Sequence, residues 1–266
     1  MTLAGAFLRR DFRLERSYRL AFLTQIGGAF TTLLSAGFLS RLVPADQAAL
    51  RPYGGDYFTF VLVGTAALSY FSVALGSFSG SLGQEQEMGT LEALLVTPVD
   101  ERVLLLCGAA WPCLFATIQL ALYLAVGSVL FGGDVPLHHL GLAAAILGLT
   151  LVAFSAVGLA GAAVVVLTKR AGLLLAFVAS AFALLGGVLY PISVLPRPLQ
   201  LLAQCLPMSH GLDGVRRALG PDPDLGTIGV DALVLVAFSV VCLPAALEGF
   251  RWAVRRARRA GTLSHY

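Results

Sequence analysis

Long hydrophobic runs, separated by short polar segments, dominate this chain. Six runs reach the length of about 20 mainly apolar residues that a membrane-spanning helix needs. The apolar cores of the first five contain no Asp, Glu, Lys or Arg, and the sixth carries only Asp231, toward its start. We therefore predict six spans, at about 20–42, 57–81, 103–131, 140–168, 171–190 and 225–248.

The composition agrees with this pattern. The 266 residues are 58% hydrophobic and 12% charged, with a mean hydropathy of +0.84. Soluble domains carry about 25% charged residues, so this chain cannot cover a water-facing surface. We predict an all-α membrane protein that forms a single transmembrane domain over residues 1–266.

Charge predicts the orientation of the spans. If the N-terminus is cytoplasmic, thirteen of the eighteen basic residues lie in the cytoplasm. The positive-inside rule therefore places both termini in the cytoplasm of a multi-pass cytoplasmic (inner or plasma) membrane protein. The net charge of +3 follows from this asymmetry and indicates no nucleic-acid partner.

Residues 2–19 have the pattern of a helix that lies on the membrane surface. Apolar side chains share one side, and most of the basic side chains occupy the other. Asp11 and Glu15 fall within the apolar arc, where they pair either with arginines at i,i+4 or with a neighbouring segment. The basic side chains are Arg9, Arg10, Arg13 and Arg16.

An acidic segment separates the second and third predicted spans. Residues 83–102, GQEQEMGTLEALLVTPVDER, hold five of the fifteen acidic residues. The pattern predicts a short helix over about 84–96, with Glu85 and Glu92 on one side, that ends before Pro98. The residues alone leave two interpretations open: a contact site for a soluble partner, or an interfacial helix without one.

The region before the last predicted span is rich in proline. Prolines 191, 196, 198 and 207 separate two short amphiphilic pieces, Leu199–Leu206 and Leu212–Leu219. Neither piece is long enough to span. We predict a re-entrant or interfacial helical hairpin over about 190–220 at the outer face; the alternative is an ordinary exofacial loop.

Several kinds of chemistry are missing from the sequence. Ion-coupled carriers usually keep ionisable residues near mid-membrane, and the middles of all six predicted spans lack them. The only lysine, Lys169, follows no glycine-rich phosphate loop, and the four cysteines lack metal-binding spacing. We therefore expect no catalytic residue, no metal and no cofactor in this chain, which is not an enzyme by itself.

Two motifs resemble those of a known family. The string EMGTLEALLVTPV, Glu87 to Val99, closely resembles the signature of type 2 ABC exporter permeases. A second similarity lies in Gly187–Arg216, where GVLYPI is followed by LP and by PMSHGLDGVR. The resemblance covers essentially the whole chain, including the predicted six spans and the N-terminal interfacial helix.

The resemblance implies partners and roles. The helix at 84–96 would be a coupling helix seated in a separate ATP-binding cassette subunit, which would bind ATP and Mg²⁺. Residues 190–220 would form outer re-entrant helices that close the exit, and two permease chains, identical or homologous, would line one path among membrane lipids. The implied coupling residues are Glu85, Glu87, Gly89, Thr90, Leu91, Glu92, Thr97 and Pro98. The implied outer-gate residues are Tyr190, Pro191, Pro196, Pro207, Asp213 and Arg216.

The function expected from this resemblance is ATP-driven export of a hydrophobic or amphiphilic substrate, such as a drug, lipid or glycolipid. One alternative is a permease that exports polysaccharide. The other is a channel or an unpowered membrane scaffold, which would have no ATPase partner. A secondary carrier is disfavoured by the absence of ionisable residues at mid-membrane.

Overall fold

The described part of the chain is helical in a computed structural model. The model describes residues 48–53, 56–87, 101–131, 139–168, 172–220, 223–259 and some of those between 27 and 41. Over these residues it contains no β-strand, and the all-α prediction is confirmed. The predicted interfacial helix at 2–19 lies outside the described residues, and the first predicted span is described only in part. Its described residues from 27 to 40 are helical.

Seven α-helices are described after residue 56. A short 3₁₀ segment, Ala48–Tyr53, precedes them, and another, Ile192–Val194, lies between the fourth and the fifth. The helices are α1 (Tyr57–Glu87), α2 (Glu101–Phe131), α3 (Leu140–Thr168), α4 (Gly172–Leu185), α5 (Arg197–Gln204), α6 (Pro207–Ala218) and α7 (Leu225–Arg259).

Four of these helices are long and apolar enough to cross a membrane. The qualifying stretches are Tyr57–Ser77, Trp111–Val129, Leu140–Thr168 and Leu225–Ala257. They belong to α1, α2, α3 and α7, and the bounds of α3 agree with the predicted span at 140–168. The protein is therefore a multi-pass membrane protein.

The fifth predicted span is shorter than expected. We predicted a helix over 171–190, but α4 ends at Leu185 after 14 residues, or about 21 Å at 1.5 Å per residue. The helix ends at two glycines. Gly187 adopts φ +72°, a left-handed conformation that glycine adopts without steric cost, and Pro191 follows. Gly186 lies so close to Met208 that a Cβ would come within 2.3 Å of its side chain.

Two other helices extend beyond their predicted spans. Helix α1 continues past residue 81 to Glu87, and α7 continues past residue 248 to Arg259. For α7 the reason is visible in the packing. Phe250, Val254 and Ala257 are buried against the end of α3, so an apolar face continues after the hydrophobic run has ended.

Helix α3 lies at the centre of the described structure. It packs against α1, α6 and α7, and its Phe154 ring stacks on Phe71 of α1 with centroids 4.9 Å apart. The edge of Phe182 in α4 meets the same Phe154 ring at 5.3 Å. Helix α6 is inserted between the first halves of α3 and α7, and this arrangement places its polar side chains inside the helix bundle.

Candidate functional site

The candidate site is built on α6, the second of two short helices between α4 and α7. Prolines set where these segments begin. Pro196 immediately precedes α5 and Pro207 is the first residue of α6, positions where the missing N–H costs no helical hydrogen bond. Pro191 precedes the Ile192–Val194 segment, and the Tyr190 hydroxyl donates to the Leu184 carbonyl at 2.6 Å. The predicted short helical pieces therefore exist, with bounds shifted toward the prolines.

Glycines allow α6 to approach its neighbours closely. A Cβ at Gly211 would lie 2.5 Å from the Thr150 side chain of α3, and one at Gly214 would lie 3.0 Å from Ile146. Nine of the twelve residues of α6 are buried. Polar groups on such a helix lose their hydration and need partners within the protein.

Arg216 joins three segments of the chain. Its guanidinium Nη1 donates to the Gly187 carbonyl at 2.7 Å, and Nη2 donates to the carbonyls of Val188 at 2.7 Å and Phe60 at 3.0 Å. The guanidinium carbon also lies 3.5 Å from the centre of the Phe60 ring, a cation–π contact. Arg216 thus connects α6 to the start of α1 and to the turn that follows α4.

The guanidinium is buried and charged. Arg216 is 6% exposed, and burial lowers its pKa to about 9, which leaves it protonated at neutral pH. The carbonyls of Gly187 and Val188 follow the end of α4, where backbone carbonyls need partners outside the helix. Arg216 therefore supplies hydrogen-bond donors to the carbonyls that follow the end of α4. The early end of α4 exposes these carbonyls to the arginine, and the carbonyls give the buried arginine its partners.

Gly64 makes room for this contact. A Cβ at Gly64 would lie 2.2 Å from Nη2 of Arg216 and 2.4 Å from the Val188 carbonyl oxygen. Since no side chain fits there, the backbone of α1 at Gly64 can lie directly against the Arg216 guanidinium and the carbonyls that it binds, which together we call the arginine site. The residue is thus part of the site although it carries no chemistry of its own.

Asp213 lies one turn before Arg217 and joins α6 to the first 3₁₀ segment. It accepts a hydrogen bond from the Tyr53 hydroxyl and one from Arg217 Nε at 2.8 Å. Burial, together with the neighbouring Asp213 carboxylate, raises the pKa of Tyr53, so its hydroxyl remains a donor. The Tyr53 ring in turn lies 5.2 Å from that of Phe60, beside the arginine site.

His210 joins α6 to α7. Its Nδ1 lies 2.7 Å from Oδ1 of Asp231, and its Nε2 lies 2.9 Å from the Gln204 carbonyl oxygen. A carboxylate and a carbonyl are both acceptors, so both contacts are hydrogen bonds only when both ring nitrogens are protonated. The hydrogen bond to Asp231 raises the pKa of His210 accordingly. Asp231 is 5% exposed, so the pair forms a largely buried contact between the two helices.

Six polar side chains therefore meet around one inserted helix. They can hold α6 in one position by directional hydrogen bonds and charge, but they lack the arrangement of a nucleophile with a base. Within the described ranges, no three His, Cys, Asp or Glu side chains lie close enough together to hold a metal ion. The six are Tyr53, His210, Asp213, Arg216, Arg217 and Asp231.

The predicted coupling residues are described only at their start. Glu85 and Glu87 lie in the last turn of α1, so a single helix contains both these acids and the Phe60 and Gly64 contacts of the arginine site. The other predicted coupling residues, Gly89, Thr90, Leu91, Glu92, Thr97 and Pro98, lie outside the described residues.

Comparison with known proteins decides the family. The family model for the ABC-2 type transporter matches residues 2–219, a range that includes both motifs and ends directly after α6. The chain belongs to the ABC-2 type transporter family. It is also 28% identical over 196 residues to the inner membrane transport permease YadH of Escherichia coli K12, which covers 71% of this chain and 75% of that protein. The YadH of Shigella flexneri matches to the same extent.

Membership in the ABC-2 family makes this chain a membrane subunit of a transporter, and the resemblance inferred from the two motifs is confirmed. Of the predicted outer-gate residues, Asp213 and Arg216 lie in the polar cluster of α6. Tyr190 and Pro191 lie in the turn beside Val188, whose carbonyl Arg216 binds. Pro196 and Pro207 flank α5 and do not touch the cluster's hydrogen bonds.

Four members of the cluster were not predicted as site residues: Tyr53, His210, Arg217 and Asp231. Tyr53 lies in a turn-rich loop 160 residues before its partner Asp213, and no local pattern connects them. His210 and Asp231 are 21 residues apart on different helices. The only available signal was that Asp231 is the one charged residue inside a predicted span, a position that requires a partner.

Proposed function

We propose that this ABC-2 family chain is the permease subunit of an ATP-driven exporter and moves a hydrophobic or amphiphilic substrate, such as a drug, lipid or glycolipid. A separate ATP-binding cassette subunit would bind ATP and Mg²⁺ and drive the cycle. Two permease chains would form one path across the cytoplasmic membrane, with all four termini in the cytoplasm. Family membership supports the permease role, and the apolar spans support an amphiphilic substrate.

The observation that carries the mechanism is the continuity of α1. This helix contacts Arg216 through Phe60, and 27 residues later it reaches Glu87, a distance of about 40 Å along the axis. The predicted coupling helix at about 84–96, held by the ATPase, would be continuous with the end of α1, and the start of α1 is hydrogen-bonded to Arg216 of the α6 cluster. Movement of one end of α1 would therefore displace the other end as well.

The cluster suits a gate with two discrete states. Its contacts are directional hydrogen bonds, those of Arg216 to single carbonyl oxygens and the others mainly to carboxylates, and such bonds weaken steeply when distance or angle changes. A shift of α1 that moves Phe60 would break the Arg216 contacts to one segment while those to Gly187 and Val188 remain. ATP would act by binding one arrangement more tightly than the other, so that the population shifts toward it.

The proposal is tested by charge reversal at the predicted coupling segment. The chain is co-expressed with the product of any neighbouring gene that encodes an ATP-binding cassette subunit, and the complex is purified through a tag on the permease. We expect Glu87→Lys with Glu92→Lys to abolish co-purification or substrate-stimulated ATPase activity. The matched control is Asp46→Lys with Asp134→Lys, which makes the same charge change in two predicted outer loops, away from that segment. If no ATPase co-purifies with the unaltered chain, or if the Glu87 and Glu92 double variant keeps both co-purification and substrate-stimulated ATPase activity, the proposal is wrong and an unpowered channel or scaffold takes its place.

A further inference from the structure

The last three turns of α7 have a buried apolar side and an exposed basic side. Phe250, Ala253, Val254 and Ala257 are buried against α3. On the opposite side of the same helix, three arginines and a tryptophan are exposed: Arg255, Arg256, Arg259 and Trp252. We call these four side chains the basic face of α7. At 100° per residue they lie within one arc of about 100°.

The position of the basic face along α7 indicates its depth in the membrane. Between Asp231 and Glu248 the helix contains no Asp, Glu, Lys or Arg. These 17 steps span about 26 Å, close to the hydrocarbon thickness of a bilayer, about 30 Å. If Asp231 lies near one hydrocarbon boundary, Glu248 lies near the other.

The basic face then coincides with the lipid headgroups. Trp252 lies about 6 Å beyond Glu248 along the helix axis, and Arg255 and Arg256 lie about 10 to 12 Å beyond it. Headgroup layers extend about 5 to 8 Å past the hydrocarbon, and long arginine side chains reach back toward the phosphates. Arg259, one turn further on, points its side chain back along the helix toward the same level.

The side chains suit an anionic headgroup rather than a protein. Trp252 is 51% exposed, and tryptophan is enriched at this depth because one edge of its ring is polar. The Arg256 guanidinium lies 5.4 Å from the Trp252 ring centre, a cation–π contact that keeps the two side chains together. Arg251, by contrast, is half-buried and is bridged to Glu248 at 2.7 Å, so its charge is locally compensated.

From depth, charge and the tryptophan we infer that the basic face of α7 binds the headgroup of an anionic phospholipid in the cytoplasmic leaflet. Each arginine near a membrane surface favours anionic lipid by about fivefold. A lipid held there would sit against the α3–α7 packing, beside the helix whose other end carries the Asp231–His210 contact. The inference requires no ATP-binding subunit.

The test uses the full chain and two defined lipids. The protein is purified in mild detergent, supplied with equimolar phosphatidylglycerol and phosphatidylcholine, and the retained lipids are counted by native mass spectrometry. We expect phosphatidylglycerol to be retained in an excess of at least about fivefold, the effect of a single arginine. The variant with Arg255, Arg256 and Arg259 all changed to Gln should bring that ratio close to one. Raising the ionic strength should lower it in the unaltered protein.

The matched control removes the same charge elsewhere. Arg41, Arg51 and Arg197 are exposed and are predicted to lie on the opposite side of the membrane. Changing all three to Gln should leave the lipid ratio unchanged. Three outcomes would overturn the inference. The control could lose the lipid preference to the same extent, the unaltered protein could show a ratio of one, or the variant with Arg255, Arg256 and Arg259 changed to Gln could keep its ratio.

A second readout locates the lipid. The chain has two tryptophans, so Trp111→Phe leaves Trp252 as the only one. In phosphatidylcholine vesicles, phosphatidylglycerol brominated near its glycerol backbone should quench Trp252 emission more than equally brominated phosphatidylcholine does at the same fraction. Equal quenching by the two lipids would mean that anionic lipid is not held at α7.

Discussion

The two ends of α3 lie beside different kinds of contact. Its first half packs through Ile146 and Thr150 against α6, and the polar side chains of α6 bond in turn to α1, to α7 and to the turn after α4. Its last half meets α7 through a cluster of apolar side chains: Leu159, Ala162 and Val166 against Phe250, Ala253, Val254 and Ala257. Directional polar contacts define one geometry and fail abruptly, whereas apolar contacts tolerate small shifts. The polar contacts of α6 are therefore suited to hold one arrangement of the helices, whereas the apolar contact between α3 and α7 is suited to allow small rotations.

Removal of Arg216 should break this contrast most strongly. Arg216→Met keeps a long side chain but leaves the Gly187 and Val188 carbonyls buried without this donor, and each buried acceptor left without a partner costs about 1 to 3 kcal/mol. We expect the unfolding midpoint in detergent to fall by the corresponding amount, measured by thermal or chemical denaturation.

The control introduces the same residue into the apolar contact between α3 and α7. Leu159 is 3% exposed, and Leu159→Met conserves volume in an apolar contact, so we expect a cost below about 1.5 kcal/mol. Equal losses from Arg216→Met and Leu159→Met would mean that the two ends are not different in kind.

A methyl group added at Gly64 should disturb the same site without removing a charge. The new Cβ would meet Arg216 Nη2 and the Val188 carbonyl, and overpacking of this kind costs about 1 to 3 kcal/mol. Gly76→Ala is the matched control in the same helix, because a Cβ at Gly76 meets nothing within 4 Å. It should be neutral, or stabilising by up to about 1 kcal/mol. A Gly64→Ala protein as stable as Gly76→Ala would contradict the close approach of α1 to Arg216.

The contact between His210 and Asp231 should give the smallest effect, and one that depends on pH. The folded-state pKa of His210 is raised, so its stabilising contribution is complete below the ordinary value of about 6.5. That contribution is lost as pH rises through the higher folded value. We expect the unaltered protein to lose stability over this window and His210→Gln to remove that part of the pH dependence.

The neighbouring titratable groups bear on this experiment. Asp231 faces His210 from α7, Asp213 influences it from α6, and the Gln204 carbonyl lies at the end of α5. Denaturation series between pH 6 and 9 on both proteins measure the difference. If the two proteins lose stability in parallel, the His210 contact contributes nothing to it.

Several features of the fold were predictable because they depend on local pattern. Helix α3 has the predicted bounds, since 29 residues without charge or proline leave one interpretation. The two short helices before α7 were predicted from proline spacing, with errors of a few residues. The fifth span was wrong in length because hydrophobicity continues through Leu189 and Tyr190, while the helix ends where Gly187 turns and Arg216 supplies donors.

The candidate site was predictable only as a region. Asp213 and Arg216 were selected through family resemblance, and both lie in the cluster. Their partners were not accessible in this way: Tyr53, Phe60 and Gly64 precede them by about 150 residues. Every residue has a backbone carbonyl, so the sequence does not indicate that the carbonyl of Val188 is the one that Arg216 binds.

The sequence by itself determined that this protein lies in a membrane, that it is helical, where most of its helices run and to which family it belongs. These properties depend on hydrophobic length, charge and local motifs, which are additive along the chain. Only the tertiary structure decided that α4 stops short, that α6 is buried between α3 and α7, and which polar groups meet there. The physical reason is that a buried charge is stable only with partners, and the partners are supplied by segments that only folding brings together.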